Sequence, residues 1–531
     1  MKRLLLLLLA LLPILVYAQV FTDNQTIPGE ISPEDDAEYP EGTELGMGGA
    51  VGTVLINNTM YSQVRLLPQI NIGKFGFGLD VDLLIDSDGK VRKEDWDEWQ
   101  DYVNKIYYIS WARRNDPFYF KLGCIPDYTL GHGLIFNHYS NMLLYPEEKS
   151  VGGYVGVNTP LSGLGFEAYT HNVHKNHILA GRVFANPVQL LDIPLLEKLQ
   201  VGVNVGIDRD QYRRFDDKDN DGIPDVYDRF PNDSAYWLDT DNDGLPDNRD
   251  VDLNNDGFID HPSINPYVNE QLPNIVADNP TYAFDMTAVS DTVQAFPKRD
   301  DVTVYSLDYR IPLIETDVFM LDNYGEIAKI NGYGTGVIFP GFSSKFLIFD
   351  AKFEFRNFGA KFLPGYFDRL YDQQRSFVQY YERPLDGRKE WSLATKEAGL
   401  DYVTASVGWF GHLRANLYDL MYLKVAFQDM YGEGNHLGKS LWGSVTVNPT
   451  MVPKLKEATL AYSQTNVNYI DLRYPRNFNS IVTGRVVYEL SDKTNLVGRY
   501  NEVYVDVDGD GKIKGKDEVI ESFGFGVEFS F

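Results

Sequence analysis

The run "SFGFGVEFSF", residues 522–531, sets Phe523, Phe525, Val527, Phe529 and Phe531 on one side of an extended chain. Gly524, Gly526, Glu528 and Ser530 take the other side. Successive side chains of a strand point to opposite faces, so this run makes one greasy face and one polar face. The same period of two recurs along most of the chain. "KFGFGLDVDLLID", "KLQVGVNVGID", "VTVYSLDYRI", "KFEFRNFG", "IVTGRVVYEL" and "NLVGRYNEVYVDVD" are strand-length runs of this kind. Turn chemistry separates such runs, as at Gly73-Lys74 and Asn115-Asp116-Pro117. Roughly eighteen to twenty segments can be counted this way. Helix is scarce. Residues 93–106 read as one short amphipathic helix, and "LLDIPLLEKL" as a broken turn.

Two architectures use so many alternating strands: large soluble sandwiches or propellers, and transmembrane barrels. A strand ending in four exposed phenylalanines suits a lipid-facing surface better than water. On this run and this strand number, the chain resembles the bacterial outer-membrane β-barrel class over about 46–208 and 302–531. That resemblance implies an all-β fold, a transmembrane antiparallel barrel of about 16–22 strands. It also implies outer-membrane lipid as a partner, and a terminal aromatic strand read by the barrel-assembly machinery.

The N-terminus agrees. Lys2 and Arg3 precede an apolar run, and Val16-Tyr17-Ala18 follows with the small Ala18 as the cleavage position. This is a signal-peptide pattern over 1–18. The run from Leu4 to Val16 is too short to cross a hydrocarbon core of ~30 Å. Residues 19–45 are acidic, proline-bearing and poor in apolar side chains, and read as disordered. The mean hydropathy of −0.29 does not separate soluble proteins from barrels, because only alternate barrel residues face lipid. The formal charge is −28, which disfavours nucleic acid as a partner and favours cations. Cys124 is the one cysteine, so no internal disulfide can form.

The charge is concentrated in an insert, 209–301, between the two halves of strands. "DKDNDGIPDVYD" supplies Asp217, Asp219, Asp221, Asp225 and Asp228, with Gly222 at the sixth position. "DTDNDGLPDNRD" repeats the plan with Asp239, Asp241, Asp243, Asp247, Asp250 and Gly244. "DLNNDGFID" follows with Asp252, Asn254, Asp256, Asp260 and Gly257. Calcium takes six to eight oxygens, and a loop offering them at alternate positions around a glycine turn can wrap one ion. The three runs resemble thrombospondin type 3 repeats across 217–260. The resemblance implies calcium ions strung along a rod with little other core. A further loop, "DVDGDGKIKGKDE", offers Asp506, Asp508, Asp510 and Asp517, with Lys514 misplaced as a ligand. A weaker calcium site is expected there. "DSDGKVRKED" lacks the first ligand and reads as an ordinary loop.

Counting strands forward from Gly46 puts the insert outside the membrane, whereas counting back from Phe531 puts it inside. One strand in 302–400 is therefore miscounted. Outside is preferred, because long loops belong there.

Two other motifs carry chemistry. His171, His174 and His177 share one loop and could hold zinc or copper, although their spacing is not diagnostic. "FNHYSN" resembles the core of outer-membrane phospholipase A, which would make His138 a base and Ser140 a nucleophile. Met142 stands where that family has glycine, and its later Ser-Trp-Asn-Arg stretch is absent. The alternative is a constriction or loop segment.

The sequence thus reads as a porin-like channel with calcium-rigidified loops and no enzymatic activity. If acids line the lumen, it should prefer cations. A surface adhesive protein anchored by its barrel is the second reading, and a phospholipase-like enzyme the third. Calorimetry on a 209–262 peptide with millimolar calcium is expected to show binding heat, and no heat would sink the calcium assignment.

Overall fold

The computed structural model describes residues 42–56, 59–97, 99–114, 116–143, 150–189, 193, 196–214, 218–219, 229–236, 239, 244–246, 301–316, 318–382, 389–418, 420–434, 438–447, 452–470, 472, 480–491, 494–504, 513 and 519–529. The chain forms two compact units. The larger holds residues up to 207, 303–371 and 402 onward, and the smaller holds 208–302 and 372–401.

Alternation builds the larger unit. Its 21 strand segments join one sheet. Two of them, Phe75–Leu79 and Val81–Ile85, both pair with Thr59–Ile72 and are one strand broken at Asp80. Counting them once leaves 21 − 1 = 20 strands, inside the expected 16–22 and even, as bacterial barrels are. Sequential strands pair antiparallel from Val302–Glu315 through to Val519–Phe529. The last strand then lies against the first, Thr43–Ile56, and closes the sheet into a barrel. Phe523, Phe525 and Phe529 take alternate positions opposite Tyr500, Gly498 and Thr494. The first strand begins at Thr43, three residues before the Gly46 boundary expected from composition.

The strand faces are inverted relative to a water-soluble protein. In Val302–Glu315, Ser306 and Asp308 are buried while Leu307 between them is 49 % exposed. In Gln200–Asp208, Asn204 is buried while Val203 is 57 % exposed. Glu167 is buried beside exposed Phe166, and His412 beside exposed Leu413. Polar groups face inward and apolar groups outward, the arrangement a lipid solvent selects. No helix among the described residues is long and apolar enough to cross a membrane.

The antiparallel run from Val302–Glu315 to Val519–Phe529 also settles the strand parity. The connections 209–301 and 505–518 leave strand ends at the same end of the barrel. The opposite end carries tight turns, with only two residues between Phe346 and Phe349 and three between Leu417 and Met421. Leu347 and Tyr418 take left-handed φ values of 53° and 56° to make them. Ser376–Glu382 and Lys389–Thr395 pair only with each other, outside the barrel sheet, and as two segments they leave that parity unchanged.

That hairpin belongs to the smaller unit. Within it, Arg375 donates to Asp208 and to the Asp210 carbonyl, and Gln211 donates to Glu397. Ser376–Glu382 and Lys389–Thr395 thus lie outside the barrel sheet, within the stretch expected to form its second half. The helix expected over 93–106 is reduced to a single turn, Trp99–Val103, after a 3-10 turn at Lys93–Asp95. Asp86 accepts from the Asp88 and Lys90 amides, as an ordinary loop does.

Leu307→Arg would place a charge on the outer face at mid-strand. It should cost about 2–4 kcal/mol, read by denaturant unfolding in lipid vesicles. An unchanged midpoint would contradict the outward assignment.

Candidate functional site within the barrel

The connection 124–151 leaves the strand Phe118–Gly123 and returns at Gly152–Asn158. It turns back against the polar inner face of the wall. Tyr128, Ile135, Phe136 and Tyr139 are fully buried. Phe136–Asn137 runs parallel to Phe367–Asp368, and the Phe136 and Phe367 rings stack at 4.4 Å. Tyr128 stacks on Tyr169 at 4.0 Å. A segment this apolar gains from leaving water even inside a polar barrel.

Its polar groups are tied to the wall. Glu326 accepts the amides of His132 at 2.9 Å and Leu134 at 3.2 Å, and the Ser306 hydroxyl at 2.6 Å. His132 Nε2 donates to the Tyr309 carbonyl at 2.9 Å. Glu167 accepts from Tyr128, Tyr119 and Arg114, and Arg114 also lies over the Tyr128 ring. Burial raises the Tyr128 phenol well above its ordinary value, with the neighbouring Glu167 carboxylate adding to it. Burial lowers His132 to about 4 against the pull of Asp308, so its ring is neutral at pH 7.

Beside this segment lies a cavity of about 540 Å³. Its cations are Arg114, Arg182, Arg310, Lys345, Lys352 and Arg414, and its acids Asp127, Asp308, Asp322, Asp350 and Glu354. Four of the five acids have an arginine partner, and the fifth is hydrogen-bonded by a histidine. Arg182 holds Asp308, Arg310 holds Asp322, Arg414 holds Asp350, Arg356 holds Glu354, and His138 holds Asp127. Six cations face five acids, so the condition set for cation preference, an acidic lining, is not met in this cavity. Sequence reading missed this ring because it weighed total charge, not charge by face. The signal was present: Asp350, Lys352, Glu354 and Arg356 alternate along one strand, as do His412 and Arg414.

"FNHYSN" forms part of the inward segment, in agreement with the constriction reading. His138 adopts a left-handed φ of 54°, and its Nδ1 lies 2.8 Å from Asp127. Its Nε2 is buried with no hydrogen-bond partner, and Ser140 Oγ instead accepts the Met142 amide. No Ser140–His138 hydrogen bond joins nucleophile to base. The His171 and His177 rings stack, whereas His174 lies against Trp99. Among the described residues no group of three His, Cys, Asp or Glu is placed to hold a metal.

Of the calcium ligand candidates, Asp219 and Asp239 lie among the described residues, and the others, including Asp506, Asp508, Asp510 and Asp517, lie outside them. Asp239 is buried, its Oδ2 accepts the Gly244 amide at 3.0 Å, and its Oδ1 has no partner. Gly244 has φ +94°, which favours glycine at this turn. First and sixth positions of that loop are therefore bonded to each other.

With this geometry in hand, comparisons add a fold likeness. The ferric enterobactin receptor of Pseudomonas aeruginosa aligns over 93 % of this chain and 73 % of its own, at 10 % identity and TM-score 0.37. OprD of Pseudomonas aeruginosa aligns over 95 % and 99 %, at 8 % and 0.29. OccD3 of the same organism aligns over 98 % and 99 %, at 9 % and 0.32. These neighbours are outer-membrane β-barrel proteins. No protein-family description matches the chain, and no curated protein matches it.

The depressed His132 sets a pH dependence. An unfolded histidine protonates near 6.5, the folded ring only near 4, so the unfolded state binds more protons between those values. Stability should fall by on the order of 1–3 kcal/mol as pH drops from 7 to 4.5. His132→Gln, which keeps a donor for Tyr309, should flatten that slope, and an unaltered slope would refute the assignment.

Proposed function

We propose that the chain is a porin-like outer-membrane channel that passes small polar solutes, with an external loop rigidified by calcium. The observation that carries this is a charge-balanced polar cavity inside a closed barrel whose outer face is apolar. An inner face of paired charges solvates a polar solute while the low-dielectric wall excludes lipid. Because each lining acid is paired, only weak ion selectivity is expected.

Calcium fits the second repeat. Asp239 Oδ1 is a buried acceptor without a partner, and Gly244 turns the loop as such sites require. Asp239, Asp241, Asp243, Asp247 and Asp250 would hold the ion, supplying negative oxygens around a hard cation. Without it their charges repel one another.

One observation favours a second reading, a surface adhesive protein anchored by a closed barrel. The inward segments bury Tyr128, Phe136, Tyr139, Tyr366, Phe367 and Tyr371 within the larger unit, filling space a pore would need. Planar-bilayer recordings on the purified chain decide between them. Discrete conductance steps with little cation preference are expected, and chelation of calcium should leave the steps while raising protease cleavage within 209–301. A silent bilayer with calcium-dependent cell binding would replace the channel by the adhesin.

A further inference from the structure

Two histidines that line the cavity each carry a ring nitrogen that the protein leaves unused. His138 and His412 are each 6 % exposed and both line it. Their Nε2 atoms are buried and have no hydrogen-bond partner. A buried polar atom without a partner costs free energy comparable to a lost hydrogen bond, so a ligand group is the natural complement.

The surroundings say what that group must be. The Asp127 carboxylate sits on His138 Nδ1 at 2.8 and 3.0 Å, which keeps the proton of the neutral ring on Nδ1. Nε2 is then a bare acceptor that needs an O–H or N–H from outside the protein. The left-handed backbone at His138 costs conformational energy and holds the ring in place. His412 lies in a different field. Lys352, Lys424 and Arg414 are its cationic neighbours. The carboxylates on the facing strand, Asp350 and Glu354, are already engaged by Arg414 and Arg356. Lys345, also on the cavity, has no ion-pair partner. Cations thus outnumber unpaired acids around His412, which favours an anion there, and Nε2 can donate to it in the tautomer that carries its proton on that nitrogen.

We propose that the cavity binds a small hydroxylated organic anion, a hydroxycarboxylate, with a hydroxyl donating to His138 Nε2 and the carboxylate seated by His412, Lys352 and Arg414. A volume of about 540 Å³ accommodates a ligand of that size. The inference rests on the channel reading for its biological sense, but the binding site stands on its own geometry.

The test is calorimetry with sodium gluconate on the full-length detergent-purified protein. Glucose, which has hydroxyls without charge, and propionate, which has charge without hydroxyls, are titrated alongside. Gluconate is expected to bind at least about tenfold tighter than either, and His138→Phe and His412→Phe each to weaken it about tenfold. Equal binding of the three solutes overturns the proposal, as does undiminished gluconate affinity in both variants. If a variant fails to fold, the three-solute comparison on the unaltered protein decides alone. Gluconate binding without bilayer conductance keeps the site and removes the channel; conductance without preferential gluconate binding does the reverse.

Discussion

Closure of the sheet is the constraint on which everything else depends. In hydrocarbon no water is available for an open strand edge, so a spanning sheet must pair its last strand with its first. Here Val519–Phe529 meets Thr43–Ile56. Closure turns one face of each strand into a lumen and the other into an exterior. It reverses the usual sign of burial, so that Leu307 is exposed and Asp308 is buried.

That reversal brings a second demand. Charged side chains crowded into a narrow lumen must be paired, because an isolated buried charge is very costly. The wall meets it with Arg182–Asp308, Arg310–Asp322 and Arg356–Glu354. The inward segment meets it differently. It brings an aromatic core of its own and offers backbone amides to Glu326 and the Tyr128 hydroxyl to Glu167. Other buried polar atoms also lack partners, but His138 and His412 are the ones among them that line the cavity, which is why they point to a ligand.

Much of the fold was legible. Period-two alternation marked the strands, and the even count fell within the expected range. The hairpin Ser376–Glu382 with Lys389–Thr395 was not legible as separate, because its pattern is as strand-like as any barrel segment. Nor was the site. "FNHYSN" drew attention for its His138 and Ser140, yet the geometry gives His138 an aspartate and leaves the serine hydroxyl to a backbone amide.

The sequence by itself determined that strands would have one apolar and one polar face, and that two loops would concentrate aspartates around glycine turns. Both are local properties, set by the two-residue repeat of an extended chain and by the needs of a tight loop. Only the tertiary structure decided which residues meet inside. Glu326 holds an amide 194 positions away, and Arg182 a carboxylate 126 positions away. Such partners are neighbours because a barrel wall brings distant strands and an infolded connection to one lumen, and no local pattern encodes that distance.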